Sequence, residues 1–378
     1  LEVFTVVSYL SAFLTLIYVF VVLGFIRGWH KLPYIGEKSR MGKTAVSIII
    51  AARNEAGGIH RTIDALLKQD YSKMLTEIII IDDHSTDNTA AIVRSYQQQG
   101  IKLISLKEDK ALNSYKKKAI QTAIGQASGK LIITSDADCR MGPKWLSTIV
   151  SFYEDNDYKM ISSPVAYDEE QSFFERSQSL EFLYLIGLGA STIGNGKPST
   201  CNGANLAYEK QAFYEVGGFQ GIDDLASGDD ELLLHKIAAR YDGQIGFLKS
   251  RAAIVYTHAK PNLTEFLQQR KRWASKSTRY KNKSIIVLGV FIWLFNLSLL
   301  LNLITGVFIA GFFSIFIIQL LMKIIVEAIF LFGVTSFAKR RGLLVLLPLL
   351  NVFHVLYIIY IGIAGNSGKY NWKGRMVK

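Results

Sequence analysis

Apolar runs nearly free of charge constrain this chain more than any other feature. There are three: Val3 to Ile26, Ser284 to Ala338 and Leu343 to Ala364. A helix rises about 1.5 Å per residue and a hydrocarbon core is about 30 Å thick, so roughly 20 such residues cross it. The first run reads as a membrane anchor rather than a cleaved signal peptide, because no small-residue cleavage site precedes Arg27-Gly-Trp-His-Lys31. The second is too long for one crossing and is expected to hold two, turning between Asn302 and Gly311. The third allows another crossing or, with Pro348, Asn351 and His354 inside it, a bent or re-entrant segment. A shorter run at Leu180 to Leu188 is too interrupted to span and fits a buried core helix or an interfacial one. The expected division is an anchor at 1–28, a soluble-type domain at 29–283, membrane segments at 284–364 and a basic tail at 365–378.

The formal net charge of +12 raises nucleic acid as a partner, but the placement of the positives argues against it. They crowd the membrane flanks: Arg27, His30, Lys31, Lys38, Arg40 and Lys43 on one side, and Lys271 to Lys283 on the other. That is the positive-inside pattern, so the middle domain is expected in the cytoplasm, on the inner face of the cell membrane. A third carboxy-proximal crossing strains this rule by leaving Lys369, Lys373, Arg375 and Lys378 outside. Cys139 and Cys201 suggest no disulfide framework, and no Cys/His metal-ligand spacing is present. Lys323 and Glu327 stand four apart and are expected to pair on one helix face.

The middle domain alternates short aliphatic runs with helical patterns. Val46 to Ala52, Glu77 to Asp82, Ile101 to Leu106 and Lys130 to Ser135 read as strands buried on both faces. Gly58 to Lys68, Thr89 to Gln98 and Lys117 to Ala127 read as helices between and after them. The fold class is therefore α/β, a mostly parallel Rossmann-like sheet flanked by transmembrane helices. Ligands of such sheets lie beyond the carboxyl ends of the strands, where Asp82-Asp83 and Asp136-Ala-Asp138 fall. Several carboxylates converging on one crevice call for a cation, and hard oxygen ligands suit magnesium or manganese bridging to a diphosphate. Asp87 and Ser85 are instead expected to cap the helix that follows.

Five motifs, Val46 to Glu55, Asp82-Asp-His-Ser-Thr-Asp87, Asp136-Ala-Asp138, Gly228-Asp-Asp-Glu-Leu232 and Gln269-Arg-Lys-Arg-Trp273, follow one another in a familiar order. The order resembles family 2 glycosyltransferases of the GT-A, inverting type. Within them it is similar to the membrane-bound branch of cellulose synthase, hyaluronan synthase and ceramide glucosyltransferase. The resemblance covers about Val46 to Trp273. It implies that Ala52, Arg53, Glu55 and Asp83 line the nucleotide pocket of a nucleotide-sugar donor, a UDP-sugar. It also implies that Asp136 and Asp138 hold the metal, and that Asp230 is the general base. Gln269, Arg272 and Trp273 then clamp the diphosphate and wall the acceptor side. Asn202, Asn205 and Asp229 are acceptor-side candidates. Where the family often has Gly-Lys, this chain has Tyr115-Lys116, which leaves Lys116 to reach phosphate without a glycine.

The chemistry fits the same residues: an inverting transfer needs a base opposite the leaving group and positive charge on the departing diphosphate. Asp230 supplies the first; Arg272 and a metal supply the second. Arg270 and Lys271 are expected in solvent or at headgroups. The expected activity is transfer of one sugar to a lipid or lipid-linked acceptor, with processive polysaccharide synthesis as the alternative within the family. A sugar-nucleotide nucleotidyltransferase would want a glycine-rich phosphate loop where Ala52-Arg-Asn-Glu55 stands, and a non-catalytic scaffold would not keep every motif carboxylate.

Overall fold

The computed structural model describes residues 2–37, 42–106, 112, 114–365, 370–372 and 375–377. Lys38, Arg40, Lys369, Lys373 and Lys378 lie outside them. The chain forms two compact units: a sheet unit of Leu32–Glu170, Thr192–Ala259 and Lys369–Lys378, and a helical unit of Leu1–Lys31, Gln171–Ser191 and Lys260–Gly368.

In the sheet unit, β1 (Val46–Ala52), β2 (Thr76–Asp82), β3 (Ile101–Ser105) and β4 (Leu131–Asp136) are parallel, with α2 (Ile59–Leu67), α3 (Thr89–Ser95) and α4 (Tyr115–Gln126) between them. They lie in the order β3-β2-β1-β4, and the sheet continues with β8 (Leu206–Glu209), β6 (Met160–Ser162) and β9 (Ile245–Phe247). β8 runs antiparallel to both of its neighbours. Ile48 to Ile50 and Ile79 to Ile81 are almost wholly buried, which is why these strands read as unbroken aliphatic runs. α2 turns Ile59, Thr62, Ile63 and Leu66 inward at helical spacing. A small sheet of β5 (Arg140–Met141), β7 (Val165–Tyr167) and β10 (Val255–Thr257) completes the unit with α5 (Trp145–Glu154), α7 (Lys210–Glu215) and α8 (Glu231–Arg240). The tail contributes the hairpin β11 (Tyr370–Trp372) and β12 (Arg375–Val377).

The helical unit holds α1 (Glu2–Lys31), most of α6 (Phe173–Gly194), α9 (Leu263–Ser275), α10 (Lys283–Gly306), α11 (Ala310–Phe337) and α12 (Leu347–Ala364). Among the described residues, four helical segments are able by length and composition to cross a membrane, the last starting in the 3-10 turn Arg341–Leu346. The turn between α10 and α11 falls at residues 307–309, inside the expected interval. α6 and α9 belong with these helices rather than with a continuous domain at 29–283. The reason is packing: Tyr184 meets Phe330 edge-on at 5.2 Å, Gly187 lies against Val334, and Phe266 meets Tyr357 at 5.5 Å.

Polar layers tie the apolar helices together. Asn302 Nδ2 donates to Ser11 Oγ at 2.9 Å and to Gln319 Oε1 at 2.8 Å, and Gln319 Nε2 donates to Thr15 and Ser298, each at 3.1 Å. One turn further along α11, Lys323 pairs with Glu327 at 2.7 Å, as expected from their spacing, and also donates to Asn351. The Tyr18 hydroxyl donates to Glu327. Such groups find partners inside a bundle because hydrocarbon offers none.

Arg270 corrects an expectation. It is 2% exposed rather than solvated, with Nη2 2.6 Å from Glu181 Oε2 and its guanidinium over the rings of Phe266 and Trp273 at 4.6 and 4.2 Å. Removing one partner of a buried pair strands the other charge, at a cost of roughly 3–5 kcal/mol, whereas an apolar pair of similar volume is tolerated. Glu181→Leu alone should therefore lower the melting temperature of the detergent-solubilised protein, and Glu181→Leu with Arg270→Met should recover most of the loss. A single variant as stable as the parent would show that this pair does not hold α6 to α9.

Candidate functional site

The site residues of the sheet unit lie where the parallel strands end. Register sets Ala52 beside Asp82, Asp82 beside Ser105, and Ala51 beside Asp136, so the acids after β2 and β4 flank the end of β1. The loops after β1 and β2 are laced together. Arg53 Nη1 donates to the carbonyls of Asp83 and His84, both at 2.8 Å, and the Asn54 N–H donates to Ser85 Oγ at 3.0 Å. In return Thr86 donates its N–H to Asn54 Oδ1 at 2.8 Å. Asn54 and His84 hold φ of 52° and 55°, a left-handed region where Asn and His are enriched among non-glycine residues.

Asp83 is 2% exposed, with Oδ1 3.0 Å from His84 Nδ1, and Ala52 contributes backbone only, its carbonyl accepting from Asp83 N–H at 2.8 Å. Glu55 donates its N–H to Thr89 Oγ1 at 2.8 Å. Asp87 takes the Thr89 N–H at 3.0 Å and the Ala56 N–H at 3.1 Å. Burial works against its carboxylate, but these hydrogen bonds hold its pKa below the ordinary value. Its role is the expected helix-start one, while Ser85 serves the loop lacing instead.

At the end of β4, Asp136, exposed Asp138 and buried Cys139 bring one ligand atom each to within 4.8 Å of one another. Thr62 of α2 shapes this turn by sharing its hydroxyl between the carbonyls of Ala137 and Cys139, at 2.8 and 2.7 Å. Burial pushes the Cys139 thiol up in pKa, and Asp136 and Asp138 add to the shift. Lys116 joins the cluster, its Nζ 2.8 Å from Asp136 Oδ1 and 3.1 Å from Asp229 Oδ2. Burial alone would lower the Lys116 pKa, but Asp136 and Asp229 outweigh it and hold the ammonium well above its ordinary value.

Asp230 stands next to this cluster in sequence and is held by backbone. Its Oδ1 accepts the Glu231 N–H that opens α8, at 2.6 Å, and its Oδ2 accepts the Gly203 N–H at 3.1 Å. Gly203 begins the 3-10 turn Gly203–Asn205, which β4 grips through Thr134 Oγ1 to the Gly203 carbonyl at 3.0 Å and Ser135 Oγ to the Ala204 carbonyl at 2.9 Å. The strand that delivers Asp136 thus also fixes the seat of Asp230. Gly228 just upstream takes φ +87°, and a Cβ there would come within 2.8 Å of Leu232.

Lys117 was not among the expected site residues. It is 1% exposed, and its ammonium donates to the carbonyls of Ile222, Leu225 and Ser227 at 2.5, 2.7 and 2.7 Å. Ser114 adds a bond to the Asp223 carbonyl. The start of α4 therefore grips the loop that leads into Asp229 and Asp230. Burial lowers the Lys117 pKa to about 8 against the pull of Asp229, Asp230, Asp224 and Asp223. The sequence carried a signal: Lys117 lies three and seven residues before Ile120 and Ile124, on the buried face of α4.

The structure brings Asp83, Lys116, Asp136, Asp138, Asp229 and Asp230 into the sheet unit, while Gln269, Arg272 and Trp273 lie on α9 in the helical unit. Asn205 is a core anchor rather than an acceptor contact. It is fully buried, its amide nitrogen donates to the carbonyls of Pro164 and Ala253 at 2.8 and 2.7 Å, and its oxygen accepts from Trp145 at 3.0 Å. Asn202 caps the 3-10 turn by accepting the Ala204 N–H at 2.9 Å. Asp229 faces Lys116, on the side of Asp136.

A mostly parallel sheet with acids gathered at its carboxyl edge has the GT-A-type transferase fold. The mannosyltransferase PcManGT from Pyrobaculum calidifontis, solved with GDP-Man and Mn2+, shares it at a TM-score of 0.57 and 16% identity, over 94% of this chain and 98% of that one. Residues 47–217 match the model of Glycosyl transferase family 2. The beta-monoglucosyldiacylglycerol synthase of Synechocystis is 26% identical over 204 residues, 53% of this chain and 43% of that protein. The poly-beta-1,6-N-acetyl-D-glucosamine synthase of Staphylococcus epidermidis is 27% identical over 180 residues, 46% of this chain and 41% of that protein. The matched part of this chain thus spans less than half the length of these curated relatives.

The Lys117 grip generates a test. Lys117→Met keeps the stem but removes three hydrogen bonds worth about 1 kcal/mol or more each. Amide exchange in residues 219–229 should then quicken roughly a hundredfold or more, while exchange in β1 and β2 stays put. Unchanged exchange in that loop would show that Lys117 does not hold it.

Proposed function

We propose that this protein moves a single sugar from a nucleotide-diphosphate sugar to the hydroxyl of a lipid or lipid-linked acceptor at a membrane, with inversion at the anomeric carbon. The observation that carries this reading is the pairing, within one unit, of the acid cluster after β4 with a backbone-held carboxylate at the start of α8. In the proposed mechanism Asp230 accepts the proton of the acceptor hydroxyl as its oxygen attacks, and the bond to the leaving diphosphate breaks on the opposite face. Its two backbone hydrogen bonds hold the carboxylate in one orientation, as a general base requires. Lys116, already charged between Asp136 and Asp229, offers its ammonium to the diphosphate.

Asp136 and Asp138 fit a divalent cation by donor type and spacing, and magnesium or manganese bound there would neutralise charge on the departing diphosphate. Ala52, Arg53, Glu55 and Asp83 are assigned to the nucleotide, a UDP-sugar in this proposal. Gln269, Arg272 and Trp273 keep a diphosphate and acceptor role on the resemblance alone, as Asn202 does for the acceptor. The apolar helices and their basic ends support an inner-membrane protein with its sheet unit in the cytoplasm, where nucleotide sugars are made.

Polysaccharide synthesis is the second reading, favoured by the likeness to the poly-beta-1,6-N-acetyl-D-glucosamine synthase. Single transfer is preferred because α1, α10 and α11 fill their own centre with Ser11, Asn302 and Gln319, all almost wholly buried.

Two outcomes test the mechanism. Excess chelator should abolish transfer of labelled sugar to membrane lipids, and manganese or magnesium should restore it; full activity in chelator would remove the cation from the proposal. Asp230→Asn keeps the size but not the basicity. Turnover should fall by on the order of a hundredfold or more while nucleotide-sugar affinity hardly changes. Near-normal turnover would shift the base to Asp229.

A further inference from the structure

The path of α12 sets it apart from the other long apolar helices. α1 and α11 run side by side in the same direction: Phe4 meets Phe312, Tyr18 meets Glu327 and Trp29 meets Phe337. α10 runs the other way, with Phe295 stacked on Tyr18 and Asn302 bonded to Ser11. The carboxyl ends of α1 and α11 and the amino end of α10 therefore share one end of the bundle, marked by Lys31, Lys339 and Lys283.

α12 begins at that end and finishes there. Leu347 and Leu350 face Leu331 across a small cavity, and Asn351 accepts from Lys323. Four contacts then carry the helix back along α9 and the first half of α10. Tyr357 meets Phe266, the Lys271 ammonium sits 5.1 Å over the Tyr360 ring, and Trp293 donates to the Ile359 carbonyl at 3.3 Å. A Cβ built on Gly365 would lie 2.6 Å from that of Ala274, near the end of α9 and shortly before α10 starts. A helix of this length set across a bilayer would end about 27 Å away, at the far end of the bundle.

We propose that α12 does not cross the membrane but lies in the leaflet at the end of the bundle marked by Lys31, Lys283 and Lys339. Its stripe Leu349, Val352, Phe353, Leu356, Tyr360 and Ile363, exposed and free of charge, rests against lipid acyl chains. The opposite face, with Asn351 and Val355 buried, closes on the helical unit. Three crossings then place Lys369, Lys373, Arg375 and Lys378 on the same side as the other basic collars, and the strain on the charge rule disappears. The inference rests on the membrane reading of α1, α10 and α11 and on no step of the transfer.

Two measurements on the full chain test it. An impermeant maleimide is applied to right-side-out and inverted vesicles carrying Val307→Cys, Arg94→Cys or Val377→Cys, each read as labelling above the parent. Val377→Cys should label with Arg94→Cys and opposite to Val307→Cys. Labelling of Val377→Cys with Val307→Cys would overturn the proposal, whereas all three on one side would overturn the membrane reading beneath it. Independently, fluorophores at positions 349, 353, 356, 360 and 363, quenched by lipids brominated at defined depths, should report nearly one depth. A steady change totalling about 21 Å from 349 to 363 would mean a spanning helix.

Discussion

Like charges brought together repel, and the sheet unit is arranged around that fact. Asp136, Asp138, Asp229 and Asp230 share one end of the fold, where a lone carboxylate pair would already drive a proton onto one member. Lys116 answers this from within the chain by lying between Asp136 and Asp229. Its neighbour Lys117 points the other way and fastens backbone instead. Two successive lysines at one helix start thus do separate tasks: one neutralises the acids and the other sets where the chain delivers them. β4 completes the arrangement by carrying Asp136 at its tip and, through Thr134 and Ser135, the turn on which Asp230 rests.

Much of this was legible. Strands buried on both faces leave unbroken isoleucine runs, and acids placed directly after such runs have only the sheet edge to occupy. β1 matches its expected bounds, β2 and β3 differ from theirs by a residue at one end, and β4 is shifted by one residue at both. Arg270, expected in solvent from its chemistry, and Lys117, absent from the expected site residues, each stand on the apolar face of their helix. Phe266 lies four residues before Arg270, and the partner Glu181 interrupts an otherwise apolar run of α6. A single charge in phase with an apolar stripe marks a buried contact, but its partner lies far off in sequence and only the fold reveals it. Asn205 failed differently: an amide that looks available in sequence spends its groups on Trp145, Pro164 and Ala253.

The helical unit follows another rule. Side chains in hydrocarbon gain little from meeting other apolar side chains, so specificity comes from small residues and from hydrogen bonds. Gln319, Lys323 and Glu327 recur every four residues along one face of α11, and their partners come from α1, α10 and α12. α6 and α9 join the same body through the buried pair of Glu181 and Arg270, although the composition of the segments around them is that of the sheet unit.

The contact of Tyr18 with Glu327 spans 309 positions of the chain. Synthesis at about 5–20 residues per second separates the two by roughly 15–60 s. For that interval α1 presents Ser11, Thr15 and Tyr18 without the helices that later satisfy them, while all seven strands of the main sheet emerge and have time to fold. The order of events during biogenesis is thereby built into the topology: the first helix waits, and the bundle closes only behind a finished sheet. Set in a bilayer, a nascent chain stalled before α11 would hold Thr15 and Tyr18 there without the Gln319 and Glu327 that later meet them.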